Sequence, residues 1–240
     1  AKEKQVLYIH LTMDDNPSLS QSVKDRYKSL YSGAFYERFI EGKWVTAQGL
    51  VYPMFSPERH IKMCKGKFNR FYLSCDYGTV NPFSLGLWGE CDGKWFRLDE
   101  YYYSGRDNGI QLTDEEYYRE LEKLAENREI TALIIDPSAA SFIQTVLRHG
   151  KFRVVKANND VLTGINRVCQ ALKDEEIFIY PACTDAIREF SIYRWDDNIK
   201  KDAVKKENDH AMDDIRYFVA TVLGRENQNS AFASVAIERN

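Results

Sequence analysis

Three aspartates and a histidine stand within six residues near the end of the chain. The stretch reads Lys205-Lys206-Glu207-Asn208-Asp209-His210-Ala211-Met212-Asp213-Asp214-Ile215-Arg216-Tyr217. Two more aspartates close apolar runs upstream: Asp76 follows Phe71-Tyr72-Leu73-Ser74-Cys75, and Asp136 follows Thr131-Ala132-Leu133-Ile134-Ile135. Carboxylates from distant parts of a chain, gathered at one sheet edge, repel and raise each other's pKa. Divalent cations relieve that repulsion, and hard ions such as Mg²⁺ take oxygen ligands while keeping some waters. Two metals about 4 Å apart activate a water and stabilise the leaving oxygen in phosphodiester cleavage. His210, one turn before Asp213, suits a further ligand or a group that orients water or phosphate. Its alternative is a surface histidine at a helix start, where the dipole also favours a carboxylate cluster.

Positioning these groups needs strands that end at the aspartates and a helix that carries the rest. Phe71–Asp76, Phe83–Trp88 and Trp95–Tyr103 read as strands, with a hairpin turn at Asp92-Gly93. Thr113 caps a helix over Asp114–Asn127, with Tyr117, Leu121 and Leu124 as its stripe. Thr131–Asp136 is a strand, Ser138–His149 a helix, Phe152–Val155 a strand and Val161–Leu172 a helix. Ile177–Tyr180 is a strand, and Pro181 starts a helix to about Ile192. In the last helix Asn208 or Asp209 is the expected N-cap. Ala211, Ile215, Phe218 and Val222 form its core stripe, and His210, Asp213, Asp214 and Tyr217 lie together on the other side. Three antiparallel strands followed by strand–helix alternation predict an α/β fold, a mixed sheet flanked by helices. Ligands in such sheets bind beyond the carboxyl ends of the strands, where Asp76 and Asp136 stand.

The amino-terminal part carries no comparable group. Val6–His10 reads as a strand, Ser20–Tyr31 as a helix capped by Ser20 with Val23, Tyr27 and Leu30 on one side, and Gly33 as its breaker. Phe35, Phe39 and Ile40 suggest a short helix ending near Gly42, and Gly49–Phe55 an ordered linker. His10 and His60 read as ordinary histidines. A chain of 240 residues, 44% hydrophobic, supports one good-sized core or one domain with an appendage. No stretch approaches the roughly 20 apolar residues of a membrane span, and no signal peptide is visible. The net charge of −3 does not describe a basic nucleic-acid binder, although a local basic groove can hide in such a total. Five scattered cysteines without a CxxC pair suggest neither a zinc site nor a disulfide framework, and a reducing cytosol fits.

Taken in order, Leu73-Ser74-Cys75-Asp76-Tyr77-Gly78, Ile134-Ile135-Asp136-Pro137-Ser138 and Lys206–Asp213 resemble the nuclease domain of viral terminase large subunits, the motor-nucleases that package DNA into tailed-phage capsids. Asn16-Pro17, Leu30-Tyr31-Ser32-Gly33 through Trp44, and Gly49-Leu50-Val51-Tyr52-Pro53 resemble the segment that joins ATPase to nuclease in that family. The resemblance covers nearly the whole chain except the tail. It implies a ribonuclease-H-like fold and the cleavage of double-stranded viral DNA concatemers during packaging. It implies two divalent metal ions, Mg²⁺ physiologically with Mn²⁺ as a substitute. Asp76, Asp136 and Asp213 match the metal-binding, catalytic aspartates, and His210 matches a histidine of some members. Asp214 stands where many members have alanine. Periodicity alone does not choose between Asp213 and Asp214, Asp209 is a third candidate, and the choice of Asp213 rests on the family register.

The implied organisation is residues 1–65 as the end of an ATPase-side region and linker, 66–224 as the nuclease domain, and 225–240 as a polar, mobile tail. No GxxxxGK[ST] loop occurs in the chain, so motor activity is expected to lie outside it. The expected partners are double-stranded DNA, the small subunit, the portal protein and an ATPase domain, in the cytoplasm of the infected host. Arg194, Lys200, Lys201, Lys205 and Lys206 crowd the segment before the last helix and suit DNA phosphates; Arg148, Lys156 and Arg167 are weaker candidates. Residues 193–206 read as a hairpin or loop, solvated and charged in the plainer reading.

Three rivals share parts of this pattern. Asp76-Tyr77-Gly78-Thr79 also resembles the first phosphate motif of the actin and sugar-kinase superfamily, a phosphotransferase reading. Those proteins use two copies of the fold, and only about 165 residues follow Asp76. Transposases, integrases and junction resolvases share the chemistry but not the linker. A catalytically inactive packaging or portal-docking module is the non-enzymatic alternative.

Overall fold

The computed structural model describes residues 9–31, 33–43, 47–196, 198 and 202–224. Helices α1 (Gln21–Leu30), α2 (Gly33–Phe39) and α3 (Pro57–His60) precede strands β1 (Arg70–Asp76), β2 (Phe83–Cys91) and β3 (Lys94–Tyr103). Then come α4 (Gly105–Asn108), α5 (Asp114–Ala125), β4 (Ile130–Ile135), α6 (Ala140–His149), β5 (Val154–Lys156), α7 (Val161–Lys173), β6 (Ile177–Ile179), α8 (Thr184–Ile192) and α9 (His210–Phe218), which runs on as a π-helical turn, Val219–Leu223. The hairpin turn at Asp92-Gly93 takes positive φ at both residues, 54° and 74°, the backbone that a two-residue hairpin requires. A capping box from Thr113 and Glu116 starts α5.

The strands form one six-stranded sheet in the order β5-β4-β1-β2-β3-β6. β1, β2 and β3 are antiparallel, while β4 is parallel to β1 and β5 to β4. β6 does not extend that parallel half, as strand–helix alternation alone suggests. It crosses to the far edge and pairs parallel to β3, where Phe178 stacks on Phe96 at 5.1 Å.

Strand alternation sorts the core into two faces. Leu73, Cys75, Leu85, Leu133 and Ile135 face α5 and α6. Trp88, Trp95, Ala132, Ile134, Ile177 and Ile179 face α7, α8 and α9. On β1, Ser74 points to the α9 side, where it bonds Asp214; Asp76, two residues on, shares that side.

Helix α9 departs from its expected amphipathic form. The stripe of Ala211, Ile215 and Phe218 is buried, but so are Met212, Asp213, Asp214, Arg216 and Tyr217. The helix is wedged between the sheet and α7 and α8, so its polar residues are paired inside rather than solvated. Its first turn is not capped by Asn208 or Asp209 side chains: Asp209 makes no such bond. Instead Glu189 of α8, fully buried, accepts from the amides of Ala211 at 2.8 Å and Met212 at 3.3 Å.

The linker is ordered. Val51 N–H donates to Tyr193 C=O at 3.0 Å, and Val51 and Tyr52 join the core under α8. His60 is fully buried, its ring bonding Leu172 C=O at 2.9 Å. Gly33 begins α2 rather than only ending α1. Cys64 and Cys91 are paired in a disulfide, which their scattered spacing does not suggest; the turn at Gly66 brings Cys64 against the end of β2. Lys200, Lys201, most of the expected strand at Val6–His10 and the tail lie outside the described residues. Among the described residues, no helix is long and apolar enough to cross a membrane.

Candidate active site

Pairing of Cys75 with Ile135 in parallel register makes Asp76 and Asp136 the next residues out of two neighbouring strands. Helix α9 crosses the same sheet end, as its bonds to β1 and β2 show. Asp214 accepts from Ser74 Oγ of β1 at 2.8 Å, from Ser84 Oγ of β2 and from the Arg97 guanidinium of β3. All four side chains are buried. Gly86 leaves room for that guanidinium, which a Cβ there would strike at 2.0 Å. Breaking such a buried pair on one side costs about 3–5 kcal/mol, so the pair locks the register of α9. Asp213, the adjacent residue, is thereby turned to the cleft.

His210 Nδ1 donates to Asp76 Oδ2 at 2.8 Å. Burial lifts the Asp76 carboxyl to about 6, helped by the charge of Asp213 and opposed by the His210 bond. Burial works against the His210 cation, yet its bond to Asp76 and the charges of Asp76, Asp209 and Glu189 raise its pKa overall. Asp213 Oδ1 accepts from Arg216 Nη2 at 2.9 Å and Nε at 3.2 Å. Lys206 Nζ lies 3.5 Å from Asp213 Oδ2 and 3.4 Å from Asp209 Oδ2. Burial, and then the charge of Asp213, push the Asp209 pKa up.

Asp136 is half-buried. It accepts from Ser138 N–H at 2.7 Å and from Asn159 Nδ2 at 3.5 Å. Burial favours its neutral form, but bonds from Ser138, Tyr217 and Asn159 prevail and lower its pKa. Burial, and then the charges of Asp76 and Asp213, push the Tyr217 hydroxyl up.

A cleft of about 930 Å³ opens here, lined by Asp76, Asp209, His210, Asp213, the loop 77–82 and the turn 104–108. Six carboxylates line it (Asp76, Asp107, Asp185, Glu207, Asp209 and Asp213) against the cations Arg106, Arg188 and Lys206. Asp136 stands outside that lining, and Asp214 lies beneath it. Of the expected DNA-binding cations, Lys206 alone lines the cleft among the described residues. Arg194 is exposed in a bridge to Leu50, and Lys205 N–H bonds Arg194 C=O. Lys156 and Arg167 line a separate cavity of about 480 Å³.

The donor type and the excess of acid fit a hard divalent cation. As the side chains stand, no described group of three or more ligands is gathered closely enough to hold one. His210, Lys206 and Arg216 neutralise the same carboxylates instead. Sequence reasoning missed Arg97, Arg106, Arg188, Glu189 and Arg216. Arg216 and Arg188 carried a local signal, their i,i+3 spacing from Asp213 and Asp185.

No protein-family model matches the chain. A curated relative, the terminase large subunit of Escherichia phage T5, is 20% identical over 229 residues, covering 89% of this chain and 51% of its own. The large terminase of a thermophilic bacteriophage, solved by crystallography, is 45% identical with a TM-score of 0.83, covering 90% of this chain and 55% of its own. This chain thus spans about half the length of these two relatives. The large terminase nuclease of a second thermophilic phage, G20c, solved with bound magnesium, is 9% identical with a TM-score of 0.54 and covers 72% of this chain and 97% of its own. That likeness carries the fold, a ribonuclease-H-like sheet flanked by helices.

Proposed function

We propose that this chain, whose homologues are the large terminase subunits of phages, is the divalent-metal-dependent endonuclease of a DNA-packaging machine. The observation that carries the reading is the meeting of Asp76, His210 and Asp213 in one acidic cleft, beside Asp136 on the neighbouring strand. The ribonuclease-H-like fold supports it, as does the 45% identity to a solved large terminase.

Asp76, Asp136 and Asp213 would hold Mg²⁺ or Mn²⁺, two ions in the full reading. Bound there, such ions supply a nucleophilic water and neutralise the leaving oxygen. His210 fixes Asp76 through Nδ1, and Arg216 fixes Asp213 through Oδ1, leaving Asp213 Oδ2 toward the cleft. Ser138 N–H and Asn159 orient Asp136. The substrate is double-stranded viral DNA concatemers, cut in the cytoplasm of an infected host. The small subunit, the portal protein and an ATPase module are its partners. Residues 66–224 are the proposed nuclease unit, with 1–65 as the connection to the ATPase side.

The test incubates supercoiled plasmid with the protein in Mn²⁺, Mg²⁺ or EDTA, alongside Asp136→Ala. Nicking and linearisation that need the metal and vanish in the variant are expected. No cleavage by folded protein in either metal would turn the reading toward a docking module. Cleavage that survives Asp136→Ala would place the site elsewhere.

A further inference from the structure

We propose that Arg106 is a phosphate-binding residue of the cleft, holding a backbone phosphodiester of the strand presented to Asp76 and Asp213, with Arg188 as a weaker second position. The proposal rests on the nuclease reading and adds the residues that receive the substrate.

Cleft charge poses the problem. Six carboxylates face a polyanion, and Lys206 is engaged by Asp209 and Asp213. Arg188 is likewise shared, with Asp185 at 3.0 Å and Glu189 at 3.5 Å, and its guanidinium lies over the Tyr102 ring. Arg106 differs. Its guanidinium donates to Asn81 Oδ1 at 3.2 Å, a neutral acceptor, and no ion pair to a carboxylate forms on it among the described residues. Its charge is therefore available for a ligand.

The backbone around Arg106 is built to present it. Ser104 Oγ accepts from Asp107 N–H at 3.2 Å, and Asn108 Nδ2 donates to Ser104 C=O at 2.8 Å. Arg106 N–H donates to Val80 C=O at 3.2 Å, docking the turn on the loop that follows Asp76. A Cβ at Gly105 would lie 2.6 Å from Thr79 C=O, so this docking needs glycine. The turn thus ties the position of Arg106 to the loop that leaves β1 at Asp76. A planar guanidinium offers two parallel donors to a phosphate, and a phosphate contact positions the strand without reading bases.

The test is anisotropy titration of a short labelled duplex in Ca²⁺ over a salt series. It uses wild type, Arg106→Gln, Arg106→Lys and, as a control outside the cleft, Arg119→Gln, with plasmid nicking in Mg²⁺ or Mn²⁺ run in parallel. Arg106→Gln should weaken binding several-fold and flatten the slope of log K against log salt by about 0.9, one phosphate. It should raise KM for nicking with little change in kcat. Arg106→Lys should keep most of the slope, and Arg119→Gln should match wild type. Wild-type affinity and slope in folded Arg106→Gln would overturn the proposal while leaving the nuclease reading intact. A wild type that binds through Arg106 but never cleaves would sink the nuclease reading and leave the phosphate contact standing. A wild type that does not bind duplex overturns both.

Discussion

At the residue scale, the carboxylates that point to metal chemistry are already held by cations of the chain itself. Lys206 Nζ stands 3.4 Å from Asp209 and 3.5 Å from Asp213. A divalent ion drawn to those oxygens meets the ammonium first. The side chain is two-thirds exposed, so water screens the pair, and its worth is at most about 1 kcal/mol. Lys206→Gln should therefore lower the Mn²⁺ concentration for half-saturation about three- to five-fold, read by calorimetry without DNA. An unchanged or higher value would mean that the lysine does not compete with metal. The places of Asp76 and Asp136 at strand ends and of His210 at a helix start could be read from the sequence, whereas the choice of Asp213 rested on the family register. Their partners could not be read from it. Arg97 lies 117 residues from Asp214, and Ser74 lies 140 residues from it; no local pattern encodes contacts at such separation. The choice between Asp213 and Asp214 was closed to periodicity for the same reason, since both flank the apolar stripe and their environments are separated by distant partners: Ser74, Ser84 and Arg97 on Asp214, Lys206 on Asp213.

At the element scale, α9 is a buried strut whose start is held by another helix. Glu189 of α8 takes the first amides of α9 and also accepts from Tyr102 Oη at 2.7 Å. Burial lifts its pKa from 4.5 to about 7, against the Tyr102 and Ala211 bonds and the charge of Arg188. The folded protein therefore keeps a proton on Glu189 that the unfolded chain releases earlier. The stability this contributes is whole below about pH 4.5 and is lost as pH rises toward 7, because the native state binds more protons across that window. A shift of this size corresponds to about 3 kcal/mol. Glu189→Gln keeps an acceptor for the α9 amides without the charge. Its stability relative to wild type should grow between about pH 5 and pH 8 in urea titrations; a constant difference would show that Glu189 does not change protonation there. The order of strands and helices was readable from alternation and turn residues. The crossing of β6 to β3 was not, because two apolar strand edges look alike until the helices between them are packed. The enclosure of α9 was hidden on the same point, since a helix can be polar by pattern and still be enclosed when its charges have partners.

For the molecule as a whole, a net charge of −3 and a cleft with twice as many carboxylates as cations set the terms on which DNA can enter. Cations such as Arg106 attract the duplex from outside, but each phosphate brought near Asp76 and Asp213 meets carboxylates of its own sign. Only added positive charge reverses that, and a divalent ion carries it in the smallest volume. Duplex affinity at fixed ionic strength should then rise at least about ten-fold from EDTA to Ca²⁺, a gain of about 1.4 kcal/mol. The gain should shrink in Asp76→Asn, which removes one of the opposing charges and one metal ligand together. Affinity that is the same with and without the divalent ion would mean that the duplex is held outside the cleft by surface cations alone. In that event Arg106→Gln, which removes a cation that lines the cleft, should leave duplex affinity unchanged, because the phosphates held outside would not be those carried to the aspartates.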